Sequence, residues 1–343
     1  MKTTYIKDIQ DRQAVADLFL VKSMSVAETK AGKPYLNLTL MDRSGDIVGR
    51  VWEGAERLQA QCPPGALVEI SGQSQSFRGQ LQLNINTIKR RDEAQVEMSA
   101  FVPASPFDPE EMAAELVGLV RSVGDDHIRR LLLKFFNNDE FMAGFKRAVA
   151  AKGMHHAYLG GLLEHTLGVA RLAAAVAPLY PELDRDLLLA GAMLHDIGKM
   201  KEFDFSSFPA DYSDQGRLMG HMVLGVEMIE EKIGRTKDFP PELAVRLKHM
   251  ILSHHGRYEF GSPTLPMVSE AFVLNFIDDM DAKLNTIAGV RAKMEETPGY
   301  QWSPYQRSLE RFLFVKGHSE AGPAAAVPEE QDNQSAQAPP RLF

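Results

Sequence analysis

The spacing of apolar residues changes once along this chain of 343 residues, and that change limits the folds open to it. Up to about residue 90, apolar side chains recur at every second position, as in YLNLTLMD of residues 35–42. From about residue 108 onward they recur at helical spacing. A period of two indicates half-buried strands, whereas a period near 3.6 indicates amphipathic helices. The sequence therefore predicts an α+β chain of several domains, with a β-barrel followed by an all-α helical bundle.

Five alternating segments with Gly-containing turns occupy residues 1–95, at about 19–35, 35–42, 45–53, 66–73 and 79–90. Five short strands in such a span predict a small barrel. Their order, with KPYLNLTLMDRSGDIVGRVW at its middle, resembles an OB-fold. That resemblance implies a face that holds single-stranded nucleic acid, with aromatic rings stacking on bases and cations contacting phosphates. The residues available for this role are Tyr35, Arg50, Trp52, Phe77, Arg78, Lys89 and Arg90. Burial of the aromatic side chains in the barrel core is the alternative interpretation.

The remaining boundaries follow from composition. Residues 96–110 hold three prolines and are predicted to be a linker that leads into a helical domain at residues 111–315. The tail, residues 316–343, is rich in Ala, Pro, Gln and Glu and is predicted to be disordered. Apolar helices such as HIRRLLLKFFNN, residues 127–138, leave room for a homo-oligomer interface or for ordinary core packing.

Charge and cysteine content exclude several classes of protein. The net charge is −8, and residues 1–95 carry 13 Lys and Arg against 11 Asp and Glu, whereas the remainder carries 25 against 35. This balance argues against nonspecific coating of nucleic acid but leaves room for a local cationic groove. Cys62 is the only cysteine, which excludes an internal disulfide and fits a reducing cytosol. The N-terminus lacks the apolar core of a signal peptide, and no apolar run approaches a membrane span, so we expect a cytoplasmic protein.

Histidine is concentrated in the helical part, where it occurs once or twice per predicted helix. Eight of the ten histidines are His155, His156, His165, His195, His221, His249, His254 and His255. They form neither an HExxH motif nor a Cys/His finger pattern. The segment LLLAGAMLHDIGKMKEF, residues 187–203, is an apolar helix that ends on His195 and Asp196. Because a buried imidazole or carboxylate is costly unless it is paired, these two side chains require partners.

A metal site satisfies that requirement. Imidazoles and carboxylates from different helices can converge in the core of a bundle, where cations between them compensate their burial. The candidate ligands are His165, His195, Asp196, His221, His254, His255 and Asp278. A carboxylate next to an imidazole can bridge two ions, and two ions can activate a water and clamp a phosphate. Imidazole, carboxylate and water suit Mn, Fe, Co or Ni, and Zn less distinctively, and Mg is a further candidate. Ordinary hydrogen-bonded roles are expected for His127, His249 and His318.

The order H…HD…H…HH…D on successive helices resembles the HD-domain superfamily of metal-dependent phosphohydrolases, over roughly residues 150–295. HDIGK is among its most specific marks. Together with the barrel, the segments HHAYLGGLLEHT and ILSHHG extend the resemblance to the YhaM-type 3′→5′ exoribonuclease family, over nearly the whole chain except the tail. This resemblance implies a hydrolase that trims RNA or single-stranded DNA from the 3′ end. It also implies release of nucleoside 5′-monophosphates and a preference for Mn²⁺ or a similar ion.

The resemblance further implies roles for individual residues. The four-ligand core of HD domains corresponds to His165, His195, Asp196 and Asp278. The additional ligands of dinuclear members correspond to His221 and to the pair His254 and His255, either of which could bind. Asp278 is preferred over Asp279 and Asp281 because the family pattern places a ligand three residues before the second aspartate.

Two further positions complete the predicted site. The resemblance places Lys199 near the scissile phosphate, and the alternative is an ordinary solvated lysine. His155 and His156 either contact the substrate phosphate, with His156 as a catalytic candidate, or form an ordinary surface pair. In the nuclease interpretation, Asp196 bridges the ions and orients the attacking water, while Lys199 offsets charge in the transition state.

Two other functions are compatible with these residues. A nucleotide or dinucleotide phosphohydrolase would keep the chemistry and use the barrel for assembly. A single-strand binding module with a relic metal site would lack the chemistry altogether. No GYP follows the first HD pair, which makes a cyclic-dinucleotide substrate less expected.

Overall fold

The computed structural model describes residues 2–29, 31–92, 96–151, 155–205, 210–292, 294 and 299–316. The predicted disordered tail, from residue 317 on, and His318 within it lie outside these ranges. Residues 1–286 form one compact unit and residues 287–343 form a second. The first unit contains both the barrel and the helical bundle that the sequence predicts.

Five strands close into the predicted barrel. They are β1 (Ala14–Glu28), β2 (Pro34–Asp42), β3 (Gly45–Val51), β4 (Leu67–Phe77) and β5 (Gln80–Arg90). The order around the barrel is β1-β2-β3-β5-β4, and every neighbouring pair is antiparallel except β3 and β5. A short helix, α1 (Ala55–Gln59), which the sequence pattern did not predict, connects β3 to β4. The five-stranded OB-type barrel is confirmed.

Alternating residues fill the barrel because successive side chains of a strand point to opposite faces. Leu36, Leu38 and Leu40 of β2 are completely buried, as their spacing predicts. On β5, Ile85 and Ile88 are both buried although they are three residues apart. A register shift opposite Gly72 accounts for this, since an extra residue in one strand rotates the following side chains.

The segment between barrel and bundle is packed and carries buried residues. Phe101 and Val102 lie in an apolar cluster with Leu20, Met41 and Leu67 of the barrel. The backbone of residue 104 also pairs with that of residue 159 in the helical part. The predicted linker therefore joins the two domains through shared core contacts.

Nine helices in the described ranges follow the barrel. They are α2 (Pro109–Arg121), α3 (Asp126–Phe136), α4 (Asp139–Phe145), α5 (Gly161–Val176), α6 (Arg185–Leu194), α7 (Lys199–Glu202), α8 (Asp214–Gly234), α9 (Pro241–Ser253) and α10 (Ser269–Ala292). Side-chain oxygens cap the N-termini of α2, α3, α4, α6 and α8, which is why these helices begin where polar residues precede apolar runs. A two-stranded ribbon, β6 (Phe203–Asp204) with β7 (Asp211–Tyr212), lies between α7 and α8.

The apolar residues of α3 belong to the core of this chain. Leu131, Leu132, Phe135 and Phe136 are buried within the bundle. The segment that the sequence offered as an oligomer interface or as core is core in this structure, and the homo-oligomer stays a prediction.

The region Gly161–Leu179, which contains α5, is the one described helix that is long and apolar enough to cross a membrane. Half of this segment is buried. Because α5 packs against α2 and α6 and carries the buried His165, it behaves as a core helix of the bundle.

The second unit differs from the predicted helical continuation to residue 315. α10 ends at Ala292, and the residues described beyond it form a two-stranded hairpin, β8 (Tyr300–Trp302) with β9 (Phe314–Lys316). Tyr300 and Trp302 both contact the ring of Phe314 across the hairpin. Aromatic residues of this kind favour strands, and their cross-strand contacts stabilise the pairing.

Candidate metal centre

The seven predicted ligands come together at one place in the bundle. His165 projects from α5, His195 and Asp196 follow α6 directly, and His221 lies within α8. His254 and His255 follow α9, and Asp278 lies on α10. Five separate segments of chain thus supply the side chains, which we call the cluster.

Two glycines allow the segments to approach one another. A Cβ at Gly198 would lie 1.9 Å from the carbonyl oxygen of His221, so the turn after Asp196 can contact α8 only without a side chain. Gly220 has a φ of 73° and interrupts α8 immediately before His221. The break leaves the His221 backbone N–H free to donate to Glu202 at 3.0 Å. His221 therefore begins a new helical segment at the cluster.

The first group in the cluster consists of His165, His195, Asp278 and one oxygen of Asp196. The Nε2 atom of His165 lies 3.2 Å from His195 Nε2 and 3.1 Å from Asp278 Oδ1. Asp196 Oδ2 lies 3.3 Å from His195 Nε2. These separations are close to those between neighbouring ligands of one ion, which are roughly 3 to 3.5 Å for metal–ligand bonds of about 2.1 Å.

The second group lies at the other oxygen of Asp196. Asp196 Oδ1 is 3.5 Å from His221 Nε2 and 3.8 Å from His254 Nε2. All three of these atoms are buried and have no hydrogen-bond partner. The ring of His255 lies against those of His221 and His254, at centroid distances of 5.1 and 4.4 Å. Asp196 thus presents one carboxylate oxygen to each group.

Hydrogen bonds at Nδ1 determine which ring nitrogen faces the cluster. The Nδ1 atoms of His195, His254 and His255 each donate to a backbone carbonyl, at 2.9, 2.7 and 2.8 Å. A carbonyl can only accept, so the proton is on Nδ1 and Nε2 carries the lone pair. His165 and His221 make the equivalent bond to the carboxylates of Asp281 and Glu202, at 2.7 and 3.2 Å. This is the arrangement of metal-binding histidines.

Charges within the cluster are strongly coupled. Burial raises the pKa of the Asp196 carboxyl, but the Lys199 ammonium and the nearby His195 outweigh it and hold that pKa well below its usual range. Burial lowers the pKa of His165, yet hydrogen bonds to Asp278 and Asp281 raise it to about 9. The pKa of His254 is held well below its usual range by burial and by His255. Burial likewise raises the pKa of the Asp278 carboxyl, but hydrogen bonding to His165 and the nearby His195 hold that pKa below its usual range. The carboxylates of Asp196 and Asp278 are therefore ionised at neutral pH, as metal binding requires.

The cluster fits a divalent cation. Lone pairs of buried imidazoles and of a buried carboxylate point at one another and lack partners, which is unfavourable unless a cation lies among them. Imidazole nitrogens and carboxylate oxygens are ligands of Mn, Fe, Co, Ni and Zn. The groups on either side of Asp196 offer two such places.

Lys199 lies beside the cluster. Its Nζ is 2.6 Å from Asp196 Oδ2, and its side chain is almost fully buried. It is therefore a buried ion-pair partner of Asp196 in this structure, and the alternative of an ordinary solvated lysine does not apply.

His155 and His156 border the first group. Their rings lie 5.3 and 5.1 Å from that of His165. His156 is buried, and its backbone N–H donates to Asn285 of α10. Burial lowers the pKa of His155 to about 4 and that of His156 to about 2, so both imidazoles are neutral near pH 7. The alternative of an ordinary surface pair does not describe their position.

Sequence reasoning missed the residues that orient the ligands. On α10, Asn275, Asp278, Asp281 and Asn285 share one face, because they recur every three or four residues. Asn275 donates to the carbonyl of His254, and Asp281 accepts from His165. That spacing of polar residues on an apolar helix was a signal that could have identified this face. Glu202 carried no comparable signal.

On the barrel, most of the predicted nucleic-acid residues form one patch. The rings of Tyr35 and Trp52 lie 4.7 Å apart, and the Arg50 guanidinium lies 5.7 Å from the rings of both Trp52 and Phe77. The Arg78 guanidinium also lies near the Phe77 ring, at 5.4 Å. Trp52 and Phe77 are both exposed. The aromatic rings at these two positions are therefore not part of the barrel core.

Lys89 and Arg90 lie away from this patch. Trp52 donates to Asn84 on β5, whereas Lys89 is five residues further along that strand and opposite Glu69. Five residues of strand span roughly 16 Å.

Two described histidines away from the cluster, His127 and His249, make ordinary contacts. His249 accepts a hydrogen bond from the backbone of Met267, and His127 lies beside Arg130 and Phe239.

Comparisons with known proteins match this division of the chain. Residues 20–90 match the OB-fold nucleic acid binding domain, and residues 162–283 match the HD domain. The HD match contains all seven cluster residues. The chain therefore combines an OB-fold with an HD domain.

The chain is similar to curated proteins over most of its length and most of theirs. Over 310 residues, the chain is 34% identical to the 3′-5′ exoribonuclease YhaM of Halalkalibacterium halodurans, covering 89% of this chain and 93% of that protein. It is 35% identical over 305 residues to the protein of the same name from Bacillus subtilis, covering 89% and 95%. It is 38% identical over 274 residues to that of Listeria monocytogenes serotype 4b, covering 78% and 85%.

Proposed function

The chain belongs to the YhaM family of 3′-5′ exoribonucleases, and we propose that it shortens single-stranded RNA from the 3′ end at the cluster around Asp196. It is a metal-dependent hydrolase whose OB-fold binds single-stranded nucleic acid. The observation that carries the assignment of the site is Asp196, which presents one oxygen to each of two histidine groups.

Two divalent ions would be held by these groups. His165, His195 and Asp278 would hold one, His221, His254 and His255 would hold the other, and Asp196 would contact both. Bound ions supply an activated water and a clamp on the phosphate oxygens. The ligand set of imidazoles and carboxylates is compatible with Mn²⁺, the ion that the family resemblance implies.

The surrounding residues position the substrate. Lys199 lies 2.6 Å from Asp196, so its ammonium would be close to a phosphate held by cations at this carboxylate and would offset the charge that develops there. The neutral imidazoles of His155 and His156 lie next to His165 and can donate hydrogen bonds to phosphate oxygens. Asp196 accepts hydrogen bonds from the attacking water and so orients it.

The reaction breaks the bond between phosphorus and the O3′ of the penultimate nucleotide. The oxygen of water ends on phosphorus, and O3′ takes up a proton. The products are a nucleoside 5′-monophosphate and a strand that is one residue shorter and has a free 3′ hydroxyl.

The barrel holds the rest of the strand. Exposed rings of Trp52 and Phe77 offer faces for base stacking, and Arg50 and Arg78 beside them offer charges for phosphates. We place this RNA hydrolysis in the cytoplasm. The single cysteine, Cys62, is a free and buried thiol, which agrees with a reducing compartment.

Labelled single-stranded RNA tests this function. With Mn²⁺, RNA labelled at the 5′ end should give a ladder that shortens progressively, and a 3′ label should be released at once as a mononucleotide. The Asp196→Asn variant should leave both substrates intact. Intact RNA beside hydrolysed free nucleotide would instead assign the chain to the nucleotide phosphohydrolases.

A further inference from the structure

A short loop follows directly on the histidines of the second group. It runs from residue 256 to residue 262 and contains one turn of 3₁₀ helix, Tyr258–Phe260. The backbone carbonyl of Arg257 accepts hydrogen bonds from the N–H groups of Phe260 and Ser262, both at 3.2 Å. Gly256 and Gly261 adopt positive φ at the two ends of the turn. The loop is therefore a compact element with a defined backbone.

The loop is attached to the cluster itself. The carbonyl oxygen of Phe260 accepts the hydrogen bond from His255 Nδ1, at 2.8 Å. A Cβ at Gly256 would lie 2.5 Å from the side chain of Asn275, so the loop also lies close against α10. Movement of Phe260 would consequently disturb the orientation of the His255 ring.

The loop lies at the open side of the cluster. His255 and Asp278 are partly exposed, whereas the other five cluster residues are buried. A phosphodiester can reach the buried groups only from the side that solvent also reaches. Residues bonded to His255 therefore border the entrance.

Its side chains are of the kind that binds nucleotides. Tyr258 and Phe260 are 60% and 63% exposed, and the Arg257 guanidinium lies 5.9 Å from the Phe260 ring. Arg257 makes no ion pair within the part of the chain that the structure describes. Single exposed apolar residues are common on protein surfaces. Two aromatic rings and an unpaired cation on one compact turn at the proposed phosphodiesterase site are a more specific combination, because bases stack on aromatic faces and phosphates bind arginine.

We propose that Tyr258 and Phe260 form a stacking site for the base of the 3′-terminal nucleotide, the one released in each cycle, with Arg257 contacting its phosphate. This inference builds on the proposed exonuclease function. It assigns a site at the metal entrance that is separate from the Tyr35–Trp52–Phe77 patch of the barrel. Stacking of the terminal base would place its 5′ phosphate at the cluster and would disfavour ends whose base is already paired.

The test compares an ordinary RNA with one whose 3′-terminal nucleotide lacks its base. On ordinary single-stranded RNA, Phe260→Ala and Tyr258→Ala should each lower kcat/KM roughly 10- to 100-fold, the loss expected for one stacking contact. Phe260→Trp should retain the activity, and Phe260→Leu should not, because leucine offers apolar area without a π face. On the abasic RNA, wild type and Phe260→Ala should be equally active, since no base is present to stack.

The controls separate stacking from damage to the site. Tyr180→Ala removes a similarly exposed ring that follows the C-terminal end of α5. That end lies roughly 16 Å along the helix axis from His165, so this substitution should leave kcat/KM on both RNAs unchanged. Binding of Mn²⁺ by calorimetry and the melting temperature should be the same in all these variants.

The possible failures are distinct. Equal losses on ordinary and abasic RNA, or unchanged kcat/KM in both alanine variants, would overturn the stacking site while leaving the exonuclease intact. No shortening of RNA by the wild-type chain would overturn the proposed function itself.

Discussion

The Nε2 atoms of His165 and His195 lie 3.2 Å apart, although the other ring nitrogen of each already has a hydrogen-bond partner. Two lone pairs facing each other at this distance in a buried site repel one another. A proton or a metal ion between them removes the repulsion. This relationship connects the fold to the chemistry, because packing of α5 against the end of α6 sets the distance.

Metal binding should release protons. Interactions with Asp278 and Asp281 raise the pKa of His165 to about 9, so its imidazole is protonated at pH 7 without metal and must lose that proton to bind an ion. We expect the Mn²⁺ affinity to increase as the pH rises toward 9. Calorimetry in buffers of different ionisation enthalpy should show the proton release at pH 7. An affinity that is independent of pH between 6 and 9 would contradict the assignment of His165 as a ligand.

The raised pKa of His165 also predicts how the stability of the metal-free protein depends on pH. The folded pKa of His165, about 9, lies above the ordinary value of 6.5, so its contribution is fully present below pH 6.5 and is lost as the pH rises through 9. The metal-free protein should therefore melt at a lower temperature at pH 9.5 than at pH 7. Saturating Mn²⁺ should reduce this difference, because the bound ion replaces the proton. Melting curves at both pH values with and without the ion provide the measurement.

Glu202 should affect metal affinity through His221. Its carboxylate accepts from both the backbone and the ring of His221, and it thereby fixes which ring nitrogen faces Asp196. Glu202→Gln should weaken Mn²⁺ binding roughly 10- to 100-fold, as is usual for residues that orient a metal-binding histidine. Glu230→Gln, which removes a carboxylate from an exposed pair with Lys248, is the matched control. Equal Mn²⁺ affinities in the two variants would show that Glu202 does not affect metal binding through His221.

Alanine substitutions at two glycines should change the stability of the fold in opposite directions. Gly198→Ala would place a Cβ 1.9 Å from the His221 carbonyl and should destabilise the fold by about 2 kcal/mol or more. Gly118 lies within α2 with no atom within 4 Å of a Cβ there, so Gly118→Ala should stabilise by roughly 0.5 to 1 kcal/mol. Denaturant unfolding of both variants measures the two effects. A neutral Gly198→Ala would show that the turn after Asp196 and α8 are not in close contact.

Residues in the barrel patch should contribute more to RNA affinity than residues outside it. Trp52→Ala and Phe77→Ala should each weaken binding of single-stranded RNA by about 1 to 3 kcal/mol. Arg50→Ala should also reduce the dependence of binding on salt, because one phosphate contact is lost. Lys89→Ala should have a smaller effect, since Lys89 lies opposite Glu69 and roughly 16 Å along β5 from the patch. Titrations with catalytically inactive Asp196→Asn protein at two salt concentrations would show the order of these effects.

Element types and the identity of the cluster were accessible from the sequence because both are local properties. Alternation in YLNLTLMD reports which residues of β2 are buried, and Leu36, Leu38 and Leu40 are buried. Histidines and aspartates on apolar helices stand out because their burial is costly, and the family resemblance selected Asp278 from its neighbouring aspartates, so all seven members of the cluster could be named in advance. The ligand roles themselves stay predictions until metal is measured.

Distances between segments were decided by the tertiary structure alone. Only packing shows that Asp196 faces two groups, that Glu202 orients His221, and that Lys199 is paired with Asp196. Residue spacing does not show the kink at Gly220 that aims His221, or the strand register that separates Lys89 from Trp52. The hairpin of residues 300–316, where helix was expected, shows the same limit. Side-chain chemistry and periodicity are properties of single segments and can be recognised in the sequence. The contacts that form a site join segments far apart in the chain, and only folding brings those segments together.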